Sequence, residues 1–198
     1  SNVSNVSNVS NVSNVSNVSN VSNVSNVSSV SSVSVNREIR KDLFNVECEN
    51  ELEYIDMNTK EHNSLLKKYN FSLEKIKGDG NCQYRAIARI IYGDSELYIK
   101  VKNEMRNELD KLYKNDKDFF EYSVDDYMKD KFWGDHITLI ALSNTFKDYC
   151  FNVFTLCEQN GNISLSGTKI TDECDRPFDC NLLYTGENHY DAFLNVSV

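Results

Sequence analysis

Basic residues are scarce in this chain, and long apolar runs are missing. Its 21 Lys and Arg face 30 Asp and Glu, for a net charge of −9. No Lys/Arg stripe relieves that balance, so no nucleic-acid surface is expected. An acidic surface instead speeds encounter with partners of basic character. No apolar run approaches the roughly 20 residues that a membrane helix needs, so no membrane span is expected. A secretory h-region is also missing. The six cysteines (48, 82, 150, 157, 174 and 180) are even in number, but the chain is too long to need disulfide staples. Reduced thiols in a cytoplasmic or nuclear setting are therefore expected. The chain begins at Ser1 rather than Met, so the expectation allows for a fragment that has lost a leader or flanking segment.

Charge is missing altogether from residues 1–36, which contain only Ser, Asn and Val. Nine copies of Ser-Asn-Val fill residues 1–27. A period of three suits neither a helical stripe nor a strand, and one Val per triplet buries too little surface to offset ordering. A disordered low-complexity tail is expected there. Each Asn-Val-Ser fits the glycosylation acceptor pattern, which matters only in a secretory pathway. Residues 37–69 are charged and periodic and are expected to form a helical lead-in of one or two exposed helices. Residues 70–198 form the remaining domain. Ten Phe and eleven Tyr supply a core.

QYRAIARIIYG, from Gln83 to Gly93, places Ala86, Ile87, Ile90 and Ile91 on one helical face and stops at glycine. A second amphipathic helix is expected over 94–112, with Leu97, Val101, Met105 and Leu109 or Leu112 on one side. Further helices follow, one of them capped by Asp135. CFNVFTL, NISLS, CNLLYT and HYDAFLNV are short, β-branched or aromatic, and separated by Gly and Asn turns, so they read as strands. Helices first and strands last predict an α+β fold with its small mixed sheet built from the C-terminal third.

Asp79-Gly80-Asn81-Cys82 is the segment that chemistry singles out. A cysteine at a helix start sits at the positive end of the helix dipole, which favours the thiolate. The same free N–H groups, with those of the turn at Asp79, Gly80 and Asn81, are candidate donors to an oxyanion. A base must come from one of three histidines. His62 lies in the polar stretch TKEHNS, and His136 follows Trp133-Gly134-Asp135 at a helix start. His189 opens the last strand in GENHYDAF. Residues two apart on a strand share a face, so His189 and Asp191 project together and Tyr190 turns away. A Cys82–His189–Asp191 triad results. Taken singly, Cys82 reads as a buried cysteine, His189 as a strand histidine, Asp191 as a surface acid and Trp133 as core.

Three motifs together carry a family resemblance. Asp79-Gly80-Asn81-Cys82-Gln-Tyr-Arg-Ala resembles the nucleophile motif of the ovarian-tumour (OTU) cysteine proteases, in which Leu-Phe usually follows the cysteine. WGDHITLIALSNTF, 133–146, resembles that family's helix motif, and LLYTGENHYDAF, 182–193, its closing strand pair. The resemblance implies a papain-like thiol protease, a deubiquitinase cleaving the isopeptide bond between ubiquitin, or a ubiquitin-like modifier, and lysine. It implies Cys82 as nucleophile, His189 as general base, Asp191 as its orienter and Asp79 as an active-site acid that shapes the oxyanion loop. Trp133 and Tyr190 are expected to line a narrow cleft for a Gly-Gly terminus, and Glu187 and Asp135 to receive the arginines of the tail. No cofactor and no metal are expected, and a monomer is.

Two rival readings stand beside this one. A catalytically idle ubiquitin binder has no need of an activated thiol. A zinc module of Cys150, Cys157, Cys174 and Cys180 lacks paired C-x2–4-C knuckles.

Overall fold

The computed structural model describes residues 40–48, 50–51, 59–171, 174–186 and 188–196. The Ser-Asn-Val tail and Glu187, each assigned a role above, lie outside the described residues.

Chain order gives a 3-10 turn (Lys41–Asn45), β1 (Asn50–Glu51), α1 (Lys60–Lys68) and β2 (Phe71–Glu74). Then come α2 (Cys82–Tyr92), α3 (Tyr98–Asn115), α4 (Val124–Met128) and α5 (His136–Thr145). The chain ends with β3 (Tyr149–Gln159), β4 (Asn162–Lys169), β5 (Phe178–Tyr184) and β6 (Tyr190–Asn195). The α+β expectation holds. The strands form one mixed six-stranded sheet in the order β1-β3-β5-β6-β2, with β4 also paired to β3. Among the described residues β3 and β5 run parallel, and the other pairs are antiparallel.

The sheet is not built from the C-terminal third alone. β2 pairs with β6 from Phe71↔Asn195 to Glu74↔Ala192, so a strand N-terminal to the nucleophile borders the strand that follows His189. FSLE is too short to announce itself by periodicity, and a long-range pairing selects its conformation.

Both faces of the central strands are covered, which explains why CNLLYT reads as a nearly continuous apolar run. On one face Phe151, Cys180, Leu182, Tyr190 and Ala192 pack with Ala86 and Ile87 of α2, Met105 and Leu109 of α3, and Leu139 and Leu142 of α5. On the other face Phe154, Leu156, Leu183 and Phe193 pack with Leu43, Leu66 and Phe71. Phe71 stacks on Phe193 at 4.5 Å between ring centroids and meets Phe154 edge-on at 5.2 Å. Such pairs add about 1 kcal/mol each beyond area burial. Among its described residues the lead-in holds one α-helix, and its apolar side chains help build this second core.

Local signals account for the helix ends. Gly93 closes α2 with φ +77°, the left-handed cap that glycine adopts without strain. Asp135 caps α5 as expected: its carboxylate accepts from Thr138 N–H, and Thr138 Oγ1 accepts from the Asp135 N–H. In α3, Val101, Met105 and Leu109 are buried. Leu97 departs from that stripe and is exposed, because Ser95–Leu97 forms a 3-10 turn ahead of the helix.

The cysteines correct the expectation of reduced thiols. Cys48 bonds Cys157, and Cys150 bonds Cys174. Sheet pairing brings Asn50–Glu51 against Cys157–Glu158 and so carries the Cys48 segment to β3, a proximity invisible in sequence spacing. Three of the four cysteines weighed as a zinc module are disulfide-bonded instead. Cys180 is free but fully buried, and burial, then Asp179, pushes its thiol well above the usual range.

Candidate active site

Cys82 is the first residue of α2 and is 5 % exposed. The turn before it has a backbone that only glycine fits. Gly80 has φ +82°, and a Cβ there would lie 2.4 Å from the Lys131 carbonyl oxygen. The nucleophile loop thus rests directly on the 129–131 loop. Asn81 locks the contact, accepting from Lys131 N–H at 3.1 Å and donating to Asp130 Oδ1 at 2.9 Å.

Asp79 holds the loop from the other side. Its Oδ1 accepts from Asn81 N–H at 3.1 Å, and its carboxylate receives Arg85 Nη2 at 2.8 Å and Nε at 3.0 Å. Burial works to raise the Asp79 pKa, but the Arg85 fork and the Asn81 N–H hold it below the usual value. Arg85 is itself buried between Asp79, Glu96 and the Tyr98 ring. This geometry narrows the oxyanion candidates. Asp79 N–H donates to Lys77 O and Asn81 N–H to Asp79. Gly80 and Cys82 keep N–H groups with no acceptor recorded among the described residues.

His189 arrives on the β5–β6 hairpin. Gly186 and Asn188 both have positive φ, 76° and 59°, residue types that tolerate the left-handed region. Thr185 N–H donates to His189 O and His189 N–H to Gly186 O, fixing the turn. His189 and Asp191 do share a face: Nε2 lies 3.1 Å from Asp191 Oδ1. Gly78 faces the opposite edge of the ring, where a Cβ would be in ordinary contact with Nδ1 at 3.6 Å. The Cys82 thiol lies against the His189 hairpin, 3.6 Å from Asn188 O, close enough to contribute to the raised pKa of the ring. With the Nε2–H given to the carboxylate, the Nδ1 lone pair is left for the thiol.

The hydrogen bond to Asp191, then that to Cys82, raises the His189 pKa from 6.5 to about 9. Asp191 is 1 % exposed in its side chain. Burial works to raise its pKa, yet His189, the Ile76 N–H at 2.7 Å and Lys75 hold it below the ordinary value. The site can therefore hold an imidazolium close to the Cys82 sulfur and supply N–H donors to an oxyanion.

The other expected residues fall differently. His62 is buried and caps α1 with Thr59, and His136 is exposed at the start of α5. Trp133 is no core residue, being 54 % exposed. Tyr190 is buried in the helix-covered core. Both carboxylate oxygens of Asp135 are engaged, by Thr138 N–H and by Tyr127 Oη at 2.5 Å, so it is not a free receiver for basic side chains. The Gln83 that replaces leucine is buried and accepts from Thr138 Oγ1 at 2.7 Å. Arg85, Gln83, Lys102 and Asp130 were not found from the sequence. Only Lys102 carried a signal, a cation beside the apolar stripe of its helix.

The family model for OTU-like cysteine protease matches residues 77–190. A deubiquitinating enzyme of Arabidopsis thaliana, OVARIAN TUMOR DOMAIN-containing deubiquitinating enzyme 12, is 33% identical over 110 residues, 47% of this chain and 50% of its own length. OTU domain-containing protein 5-A of Danio rerio is 30% identical over 90 residues, 42% of this chain and 16% of its own length. The chain thus spans half the length of these relatives or less. Among solved structures, the OTUD1 OTU domain superposes with a TM-score of 0.57 at 19% identity, covering 68% of this chain and 93% of that one. The fold, the placement of Cys82, His189 and Asp191, and a family match over more than half of the residues agree, and the chain belongs to the OTU-like cysteine protease family.

Proposed function

We propose that the protein is a thiol isopeptidase that removes ubiquitin, or a ubiquitin-like modifier, from lysine side chains. The observation that carries this reading is the His189 ring held by the Asp191 carboxylate on the hairpin whose Asn188 carbonyl the Cys82 thiol touches. The relatives named deubiquitinating enzymes supply the substrate class, as does a solved viral OTU of similar fold that is bound to ubiquitin.

In this reading the Cys82 sulfur attacks the carbonyl carbon of the terminal glycine, and His189 takes the thiol proton. Charge develops on the carbonyl oxygen and is received by the Gly80 and Cys82 N–H groups. His189 then protonates the lysine amine as it leaves, and a thioester remains. Water attacks the thioester, gives its proton to His189 and releases the carboxylate product. Asp191 orients the ring, and Asp79 shapes the oxyanion loop through Asn81 and Arg85. Trp133, exposed next to Gly134, is the aromatic offered to the substrate's terminal glycines, while Tyr190 lies in the core.

The test is covalent trapping by ubiquitin bearing an electrophilic C-terminus. Wild type is expected to form a 1:1 adduct at Cys82, and Cys82→Ala none. Ubiquitin that binds wild type without any adduct would replace the hydrolase reading with the idle binder.

A further inference from the structure

Lys102 is a charged side chain buried on α3, 4 % exposed and far from the surface role that lysines usually play. Its ammonium donates to the Lys129 carbonyl oxygen at 2.6 Å and reaches Asn81 Oδ1 at 3.5 Å. It also sits 4.4 Å from the centre of the Tyr84 ring, on the helix that carries the nucleophile. A buried ammonium costs several kcal/mol unless it is paired and hydrogen-bonded. Here its contacts lie on the two segments that meet under the oxyanion turn.

Those segments depend on close contact. The Lys131 carbonyl lies where a Gly80 side chain would be, and Lys131 itself has φ +60°, a left-handed backbone that costs about 1 kcal/mol in a non-glycine residue. Asn81 bonds the same loop through Lys131 N–H and Asp130. Lys102 grips the loop one residue earlier, at Lys129, and touches Asn81 from below. Burial lowers the Lys102 pKa to about 8, with Asp130 acting to hold it up. The charge is therefore largely present at neutral pH.

We infer that Lys102 is a positioning residue for acyl transfer, fixing the 129–131 loop against Gly80 and Asn81 so that the Gly80 and Cys82 N–H groups stay aimed at the oxyanion. It touches neither substrate nor reacting atoms. The inference rests on the hydrolase reading above. It predicts a division between two reactions of the same sulfur. Hydrolysis of a carbonyl substrate needs the oxyanion donors, whereas alkylation of Cys82 by iodoacetamide needs only the thiolate.

Lys102→Met keeps an unbranched apolar stem one atom shorter and removes the ammonium. The expected result with a fluorogenic ubiquitin substrate is a fall in kcat of about 30-fold with KM within about threefold, the scale of a misplaced catalytic group. Iodoacetamide is expected to alkylate Cys82 within about twofold of the wild-type rate, and Lys102→Arg, which keeps a cationic donor, to recover most of kcat. An equal fall in hydrolysis and alkylation, an unchanged kcat, or an effect confined to KM overturns the inference. Should the Met variant give no cooperative melt, Lys102→Gln is judged by the same ratio of rates. Wild type that alkylates at Cys82 but never turns over would defeat the hydrolase reading itself, a result that no variant is needed to see.

Discussion

Asp191→Asn isolates the charge of the triad acid from its geometry. In the wild type, Oδ1 accepts both the Ile76 N–H at 2.7 Å and His189 Nε2 at 3.1 Å, and Oδ2 faces Lys75 at 3.3 Å. An asparagine oxygen at the Oδ1 position keeps both acceptor roles, so the imidazole tautomer is retained while the negative charge is lost. The His189 pKa rises from 6.5 to about 9, and that rise of 2.5 units corresponds to about 3 kcal/mol in favour of the imidazolium. Cys82 supplies part of that rise and the ring is 27 % exposed, so the share of Asp191 after screening is about 2 kcal/mol, or about 1.5 units.

In the wild type, activity that needs the imidazolium falls as pH rises through about 9. In the variant that alkaline limb is expected near 7.5, so kcat/KM changes little below pH 7 and falls about 15-fold relative to wild type at pH 9. The histidine is the raised-pKa case. Its contribution to folding stability is fully present below 6.5 and is lost as pH rises through about 9. Urea titrations from pH 6 to 10 therefore show wild type losing about 2 kcal/mol of stability that the variant never had. A variant whose alkaline limb stays near 9 refutes the assignment of Asp191 as the source of the shift.

Three further outcomes are expected. Gly80→Ala puts a Cβ 2.4 Å from a backbone oxygen at φ +82°, and a cost of about 3 kcal/mol with near-complete loss of turnover is expected, read by melting temperature and kcat. Arg85→Lys cannot reproduce the fork to Asp79 and is expected to lower kcat about tenfold while leaving iodoacetamide alkylation of Cys82 unchanged. Cys48→Ser opens a link spanning 109 residues. Urea denaturation is expected to show a loss of about 3–5 kcal/mol without change in kcat, and an unmoved midpoint would contradict it.

The parts of the site legible in the sequence are those set by local rules. A glycine turn before an apolar helical pattern announces the nucleophile loop, and the period of two along His189-Tyr190-Asp191 announces the base and its acid. The reach from Cys82 to His189, by contrast, is made by the packing of α2 on β6, which neither segment encodes alone. Arg85, Lys102 and Gln83 were missed for the same reason: each is a polar residue in a helical pattern whose partner lies in a distant loop. Trp133 misleads because its size suggests burial, yet the loop that carries it turns it outward. The disulfides depend on where β1 and the 174 segment meet β3, and even numbers of cysteine do not reveal connectivity. β2 is the clearest omission, four residues whose strand character exists only because β6 is there to receive them.

β6 has ladder partners on both sides and sends Ala192 into one apolar layer and Phe193 into the other. A strand so placed cannot fray by itself. Its amides belong among the slowest of the molecule to exchange with deuterium, and the imidazole ahead of it is anchored to the last part of the protein to come apart. Heat therefore has no intermediate stop at which the scaffold survives and the base has drifted off, so loss of activity and loss of fold coincide at one temperature.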